Sequence, residues 1–190
     1  MVALESESDV LDHGDLAPEF ELEGTDGETY TLGDFDDHDA LLVVFTCNHC
    51  PYAKAKYDAM NAIAADYEDV AVVGINPNDA EEYPEDSFEK MVEYVGAGDI
   101  DLTAYLRDDT QDVAKAYGAV CTPDPFLFRN DNDDFRLVYH GRFDDATNPD
   151  EEPSGTPGYE IRDAIESVLA GEVPEDEGHP SRGCSIKWRD

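Results

Sequence analysis

The feature that most constrains this chain is a pair of cysteines between a predicted strand and a predicted helix. Leu41–Phe45 is an unbroken apolar run with the length of a strand buried on both faces. Residues 51–65 contain helix-forming residues with apolar positions at helical spacing. Cys47 and Cys50 therefore fall at the first turn of this helix, where unpaired backbone N–H groups and the helix dipole favour a thiolate. The spacing predicts a redox-active dithiol.

A metal site is the main alternative for this Cys-x-x-Cys pair. Many zinc sites use the same spacing, and Cys121 and Cys184 could complete a set of four thiolates. Zinc sites usually bring their second pair at short spacing, whereas these two cysteines stand far apart. The pattern favours redox chemistry, and we expect no metal and no other cofactor. A c-type haem is excluded because Pro51 follows Cys50 where a histidine would be needed.

The charge of the chain indicates the medium in which it works. The 190 residues suffice for one well-cored domain, and they include 47 acidic against 12 basic side chains, for a formal charge of -35. The acidic residues are spread along the chain, which indicates a solvated surface that repels itself at low ionic strength. We therefore expect a halophilic protein that is stable in high salt. Neither nucleic acid nor an anionic membrane is an expected partner.

The N-terminal residues and the hydropathy of the chain predict a cytoplasmic location. Residues 1–9 have neither the basic region nor the apolar core of a secretory signal. No stretch approaches the roughly 18 consecutive apolar residues of a membrane span. In the cytoplasm, cysteines serve chemistry more often than structural cross-linking.

Predicted strands and helices alternate along the chain. Their order is hairpin, strand, helix, strand, helix, strand, helix, hairpin and helix, which predicts an α/β domain with a mixed central sheet covered by helices. The first hairpin has short arms with charged outward faces and is expected at a sheet edge. The predicted strands lie at 17–22, 28–32, 41–45, 70–75, 102–106, 126–128 and 136–140, and the predicted helices at 51–65, 86–95, 109–117 and 159–169. We expect a flexible acidic N-terminus over residues 1–15, a domain over 16–171 and a C-terminal tail over 172–190.

Three motifs carry a resemblance to a known fold. They are Gly14–Phe20, the Cys47–Pro51 motif, and Val120–Pro123 before the second hairpin. Together they resemble the thioredoxin fold in its peroxiredoxin-like, AhpC/TSA-type branch, with an N-terminal β-hairpin. The resemblance implies a thiol-disulfide oxidoreductase with a redox-active disulfide. Its implied partners are a disulfide-containing protein or small molecule and a thiol reductant, either thioredoxin-like or of low molecular weight.

The resemblance also implies roles for individual residues. Cys47 would be the exposed attacking thiol, and Cys50 the buried thiol that resolves a mixed disulfide. His49 could donate to the Cys47 thiolate, which predicts a potential on the order of -120 to -230 mV, less reducing than that of thioredoxin. The alternative for His49 is an exposed helix residue without this role. Pro123 would be a cis-proline facing the cysteine pair, with the backbone of Thr122 presented to an extended substrate.

The other two cysteines remain open at this point. Cys121 is either a core cysteine or a third thiol near the site. Cys184 lies in a locally basic tail in which Ile186 and Trp188 can anchor the chain to the domain. It is either a packed structural cysteine or an additional resolving thiol that meets Cys47.

Two other functions compete with disulfide exchange. A peroxiredoxin-type antioxidant peroxidase would need a Pro-x-x-x-Thr-x-x-Cys register, but here Thr46 directly precedes Cys47 and the peroxidatic position aligns with Cys50. Nothing in the sequence places Arg142 as the missing cation. A non-catalytic thioredoxin-fold binding module is the second alternative. The acidic run 130–134 lacks the spaced ligands and closing glutamate of an EF-hand and is interpreted as a turn.

Overall fold

A computed structural model describes residues 2–7, 9–175 and 178–190 of the chain. The strands are Ala3–Glu5 (β1), Glu21–Gly24 (β2), Thr29–Thr31 (β3), Ala40–Phe45 (β4), Val70–Asn76 (β5), Ala104–Arg107 (β6), Cys121–Thr122 (β7), Asp124–Asp131 (β8), Asp134–His140 (β9) and Arg182–Ser185 (β10). The α-helices are Pro51–Lys54 (α1), Tyr57–Asp66 (α2), Phe88–Gly96 (α3), Asp112–Tyr117 (α4) and Tyr159–Leu169 (α5), and short 3₁₀ helices lie at Leu32–Phe35 and Pro84–Asp86.

The central sheet has seven strands in the order β3-β2-β6-β5-β4-β8-β9. Strand β5 pairs in parallel with β4 and β6, whereas β8 pairs antiparallel with β4 and β9. The predicted mixed α/β sheet is therefore confirmed. The hairpin of β2 and β3 lies at one edge, as its charged arms indicated.

The pleat of β4 divides the core between the two faces of this sheet. Leu41, Val43 and Phe45 pack on one face with α4 and the 3₁₀ helix Leu32–Phe35, and the alternating side chains pack on the other face with α2 and α5. All six residues of β4 are buried. A strand covered on both sides explains why this segment is uniformly apolar.

The predicted helix over residues 51–65 is interrupted, and this part of the prediction was wrong. Helix α1 ends at Lys54, and α2 begins at Tyr57 after Lys56 leaves regular geometry. The interruption turns the Lys56 ammonium toward Asp144, whose carboxylate accepts its hydrogen bond at 2.6 Å. The local sequence reveals neither this tertiary contact nor the break in the helix.

A second, three-stranded sheet was not predicted. Strand β10 of the tail pairs antiparallel with β1 on one side and with β7 on the other. We expected residues 1–15 to be flexible, but residues 3–5 of that segment form β1. The strand could not be recognised from its own sequence because its partner lies at the other end of the chain.

The turn between β8 and β9 has the geometry that its sequence indicates. Asn132 and Asp133 both have positive φ values and form the two-residue loop of this hairpin.

No helix among the described residues combines the length and the apolar character that a bilayer crossing requires.

Candidate active site

The cysteine pairing differs from the one that the Cys-x-x-Cys motif suggests. Cys50 forms a disulfide with Cys184, across a separation of 134 residues and with Cα atoms 6.3 Å apart. Cys47 and Cys121 are free thiols. Cys184 therefore joins the candidate site through Cys50, whereas the resolving role considered for it involved Cys47. A four-thiolate zinc site does not fit this state, because two of the four sulfurs are bonded to each other.

Cys47 is fully buried and belongs to the same buried cluster as Cys50 and Cys184. Burial, the larger cause, and the Asp86 carboxylate together raise the pKa of the Cys47 thiol to about 12. The Thr122 hydroxyl and the backbone N–H groups of Cys50 and His49 oppose this shift without reversing it. The prediction of an exposed Cys47 was therefore wrong for this disulfide state, in which the thiol is protonated at neutral pH.

Thr122 and Pro123 form the wall opposite the cysteines. The Thr122–Pro123 peptide bond is cis, as the resemblance implies. The Thr122 hydroxyl oxygen lies 3.3 Å from the sulfur of Cys47, and its carbonyl oxygen lies 3.6 Å from the sulfur of Cys50. A disulfide sulfur carries no hydrogen, so the second contact is van der Waals in nature. One residue thus touches both members of the motif.

A buried carboxylate holds His49 in place. Asp86 accepts a hydrogen bond from the Nδ1 atom of His49, and it also accepts from the backbone N–H of Asn48 at 2.6 Å. The side chains of Asn76 and Asn78 donate to it at 3.2 and 3.0 Å. Burial alone would raise the pKa of Asp86, but these hydrogen bonds outweigh burial and lower it. The carboxylate is therefore ionised, and the imidazole of His49 faces Asp86 rather than the solvent.

Sequence reasoning missed Asp86. The residue was assigned to the start of a predicted helix, although Ser87 is the residue that caps α3. A usable signal was the position of Asn76 at the end of β5, because β5 neighbours the strand that leads to Cys47. The ends of adjacent parallel strands meet, and polar residues there gather near each other.

Arg107 also takes part in this polar network. Its buried guanidinium donates to the backbone carbonyl of Asn78 at 2.6 Å and to those of Asn76 and Asp86 at 3.2 Å. The guanidinium thereby fixes the loop that carries Asp86.

The tail covers the cysteines by strand pairing. Cys184 lies opposite Thr122, and Ser185 lies opposite Cys121. The backbone N–H of Ile186 continues the ladder by donating to the carbonyl of Val120 at 3.0 Å. The Ile186 side chain is buried in the main core, whereas Trp188, the other residue expected to anchor the tail, is 38% exposed.

A second buried carboxylate, that of Asp124, binds residues near both ends of the chain. Asp124 accepts hydrogen bonds from Ser6 at 2.7 Å, from Ser181 at 2.9 Å and from His140 at 2.8 Å. Cys121 lies 3.9 Å from the Ser181 hydroxyl. Burial raises the pKa of Cys121, so this cysteine has the environment of a core residue.

Three further features of the described residues bear on the location of the site. Cys47, His49 and Asp86 place potential ligand atoms within 4.8 Å of one another, but the Asp86 oxygens already accept four hydrogen bonds. Arg142 is bound to Glu160 at 2.7 Å rather than to the cysteines. A cavity of about 510 Å³ lies between α5 and the segment after it, and the described residues that line it include no cysteine.

Fold and site together define a class of protein. A mixed sheet, a Cys-x-x-Cys motif before a helix and a cis-proline opposite it are the features of the thioredoxin-like thiol oxidoreductases. The sequence profile of the AhpC/TSA family matches residues 13–133. The chain belongs to this family.

Solved structures show the same architecture. An uncharacterized conserved protein from Geobacillus kaustophilus is 40% identical, with coverage of 100% of this chain and 97% of that chain and a TM-score of 0.91. A hypothetical protein from Sinorhizobium meliloti 1021 is 41% identical, with coverage of 97% and 98% and a TM-score of 0.89. Peroxidoxin BcpB from Mycobacterium tuberculosis shares the fold at 16% identity, with coverage of 85% and 97% and a TM-score of 0.59. No curated protein matched the sequence.

Proposed function

We propose that this protein is a thiol-disulfide oxidoreductase in which Cys47, Cys50 and Cys184 share one disulfide. The observation that carries the proposal is the Cys50–Cys184 disulfide, since its Cys50 sulfur and the free thiol of Cys47 both contact Thr122 at the cis-proline. Disulfide exchange needs a thiol next to a disulfide, and the site holds both.

The proposed internal step moves the disulfide without a net change in oxidation state. Cys47 loses its proton and attacks the sulfur of Cys50, so a Cys47–Cys50 bond forms and the Cys50–Cys184 bond breaks. Cys184 leaves as a thiolate and takes up a proton. Because Cys47 is buried and protonated in the observed state, this step requires the tail to move first.

An external thiol would reduce the protein in two steps. Its thiolate attacks the sulfur of Cys184, which gives a mixed disulfide and a thiolate on Cys50. A second thiol then attacks the external sulfur, so the reductant leaves as its own disulfide and the protein keeps two thiols. The proposed substrates are disulfides of proteins or small molecules. The proposed location is the cytoplasm, where a disulfide of this kind is more often catalytic than structural.

Disulfide mapping combined with turnover tests the proposal. Wild-type protein and the variants Cys47→Ser, Cys50→Ser and Cys184→Ser are equilibrated across a glutathione series in molar KCl, acid-quenched, alkylated and mapped by mass spectrometry. Insulin reduction by dithiothreitol gives the turnover. The expected results are a Cys47–Cys50 disulfide in Cys184→Ser and loss of turnover in Cys50→Ser, because Cys50 contributes to both disulfides.

Cys121→Ser is the matched control for this experiment. Cys121 is equally buried, but its sulfur lies against Ser181 and no disulfide includes it. Its replacement is expected to preserve both the disulfide pattern and the turnover. Turnover that survives Cys50→Ser would overturn the proposal.

A peroxidase is the second candidate, and the same disulfide favours it. Cys50 stands at the N-cap of α1, and a sulfenic acid on it would condense with the Cys184 thiol to give the observed disulfide and one water. The preceding step consumes a hydroperoxide, because the Cys50 thiolate takes one oxygen and an alcohol leaves. The test is peroxide consumption with dithiothreitol as reductant. In Cys184→Ser a peroxidase accumulates sulfenic acid on Cys50, whereas an exchange enzyme shows slow peroxide consumption and rapid disulfide turnover.

A further inference from the structure

The family resemblance implies that the backbone at Thr122 faces an extended substrate, and we call β7 with the cis-Pro123 turn the docking edge. We propose that this docking edge selects a basic polypeptide segment whose reacting cysteine directly follows a glycine. The chain's own tail occupies this docking edge while Cys184 is bonded to Cys50. The inference rests on the proposed function, because it takes Cys50 as an exchanging sulfur. It adds the class of substrate that the site selects.

The tail shows the geometry of an occupied docking edge. Strand β10 pairs antiparallel with β7, and in this register Cys184 lies opposite Thr122. Thr122 also contacts Cys50, so the strand pairing delivers the incoming sulfur to the reacting one. Main-chain hydrogen bonds of this kind hold extended segments of many sequences, and local pockets then provide selectivity.

The glycine requirement follows from one close approach. A Cβ atom placed on Gly183 would lie 2.0 Å from the carbonyl oxygen of Thr122 and 2.5 Å from its carbonyl carbon. Both are backbone atoms next to the cis-proline, so no side-chain rotation relieves the clash. Gly183 does not have a positive φ, so glycine is required here because a side chain would not fit and not because of the backbone conformation. Any segment that docks in this register must carry glycine before its cysteine.

A second selective position follows the cysteine by two residues. The side chain of Ile186 is 3% exposed and enters the main core, so an apolar residue is expected there. Lys187 is recognised chiefly through its backbone. Its N–H donates to Asn78 at 2.9 Å, and its carbonyl accepts from the N–H of Asp79 at 2.9 Å and from Gln111 at 2.8 Å. The pattern is glycine, cysteine, any residue, then an apolar residue.

Charge favours a basic segment. Arg189 at the end of the tail pairs with Asp79 at 3.3 Å and with Asp109 at 2.9 Å. The protein as a whole carries a formal charge of -35, so acidic segments are repelled from this face. The tail is the basic exception in the sequence, and it is the segment that fills the docking edge.

Reduction of the Cys50–Cys184 disulfide would open the docking edge. The tail would then no longer be held there covalently, and an external segment could compete with it. Once Cys50 and Cys184 are thiols, the tail is held by non-covalent contacts, which include the strand pairing of β10, the buried Ile186 and the ion pairs of Arg189. An external segment with a disulfide can then take its place. The Cys50 thiolate attacks the sulfur of the segment, a Cys50–segment disulfide forms, and the former partner of that sulfur leaves as a thiolate.

The test compares two peptides on one protein. The full-length double variant Cys47→Ser/Cys184→Ser leaves Cys50 as the reacting thiol. The probe is the peptide Ser-Arg-Gly-Cys-Ser-Ile-Lys-Trp-Arg, which has the sequence of residues 181–189, with its cysteine activated as a thionitrobenzoate disulfide. Attack by Cys50 releases thionitrobenzoate, which is followed by its absorbance, and the adduct is mapped by mass spectrometry. A peptide with alanine in place of glycine is expected to react about tenfold more slowly, because it loses the strand pairing.

Matched controls separate register from general reactivity. A peptide with alanine in place of the serine after the cysteine is expected to react like the parent peptide. Adding Gly183→Ala to the protein displaces the tail and is expected to speed the reaction with the parent peptide about tenfold, whereas adding Gly96→Ala leaves it unchanged. Gly96 is suitable because nothing lies within 4 Å of a Cβ atom placed there. The peptide comparison is repeated in Cys184→Ser, in case the double variant folds poorly.

The outcomes distinguish this inference from the proposed function. Equal rates for the glycine and alanine peptides, or an adduct on Cys121, would overturn the docking edge. Discrimination between the peptides without insulin turnover by wild-type protein would retain the docking edge and overturn the exchange function. Insulin turnover without discrimination would do the reverse.

Discussion

The Nδ1 atom of His49 is hydrogen-bonded to the fully buried carboxylate of Asp86. His49 is thereby fixed inside the Cys-x-x-Cys loop by a residue from the segment before α3. The same carboxylate accepts the N–H of Asn48, the residue that follows Cys47. Asp86 therefore sets the shape of the loop that holds the cysteines, and it does so through hydrogen bonds to neighbouring nitrogen atoms rather than to a sulfur.

Replacing Asp86 with asparagine is expected to lower the free energy of unfolding by about 3 kcal/mol at pH 7, because buried donors lose a charged acceptor. The pKa of Asp86 is lowered in the folded protein, so its contribution to stability is complete above the pKa of the unfolded chain. That contribution is lost as the pH falls through the lower folded value. The difference in the free energy of unfolding between wild type and Asp86→Asn is thus expected to narrow below about pH 4.

Urea unfolding in molar KCl at a series of pH values measures this difference in unfolding free energy. Asp150→Asn is the control, because Asp150 is an exposed loop carboxylate. A difference for Asp86→Asn that stays constant from neutral to acidic pH would contradict the role of the ionised carboxylate.

Loss of the disulfide partner is expected to destabilise the oxidised protein strongly. The Cys50–Cys184 bond closes a loop across a separation of 134 residues, and a loop of this size contributes about 4 to 5 kcal/mol by restricting the unfolded chain. Cys184→Ser is expected to lose that amount without reductant and to match wild type in dithiothreitol. Cys121→Ser, which removes a buried cysteine outside any disulfide, is the control and should show the same small loss in both conditions. Denaturant unfolding with and without reductant makes the comparison.

Cys47 is expected to resist alkylation in the oxidised protein. A thiol whose pKa is raised to about 12 contains on the order of a thousandfold less thiolate at pH 8 than a free cysteine. Burial adds a steric barrier. Iodoacetamide labelling followed by mass spectrometry measures the rate, and labelling in denaturant without reductant is the reference. Rapid labelling of Cys47 in folded, oxidised protein would show that the tail does not protect it.

A comparison of two ion pairs tests the importance of burial. Lys56 and Asp144 are joined at 2.6 Å, and their side chains are 14% and 1% exposed. Lys56→Met leaves Asp144 buried without its cation and is expected to cost about 3 kcal/mol of unfolding free energy. Lys90→Met removes an exposed pair with Glu93 at a similar distance of 2.7 Å and is expected to change stability little. Similar losses for the two variants in urea titrations would be the contrary result.

The melting temperature is expected to rise with salt. A formal charge of -35 repels itself at low ionic strength, and molar KCl screens charges beyond about 3 Å. We expect a rise of about 10 °C or more between low and molar KCl. Sorbitol at matched osmolality is the control, since it does not screen charge. A flat melting temperature across the KCl series would refute the halophilic proposal.

The sequence by itself determined the central sheet and the location of its redox motif. Leu41–Phe45 could be recognised as a buried strand because every residue is apolar, and the helical spacing after Pro51 placed the cysteines at a strand-to-helix joint. These features depend on interactions between residues near each other in the chain. The cis-proline at Pro123 became predictable only through family resemblance, since local sequence gives little sign of it.

Tertiary structure alone decided the state of the site. The pairing of Cys50 with Cys184, the burial of Cys47 and the contact of His49 with Asp86 each join segments that are distant in the sequence. Whether a cysteine is a reactive thiolate depends on its burial and its neighbouring charges, neither of which a spacing motif specifies. The motif identified which residues could react, and the docked tail set which of them are paired and which is shielded.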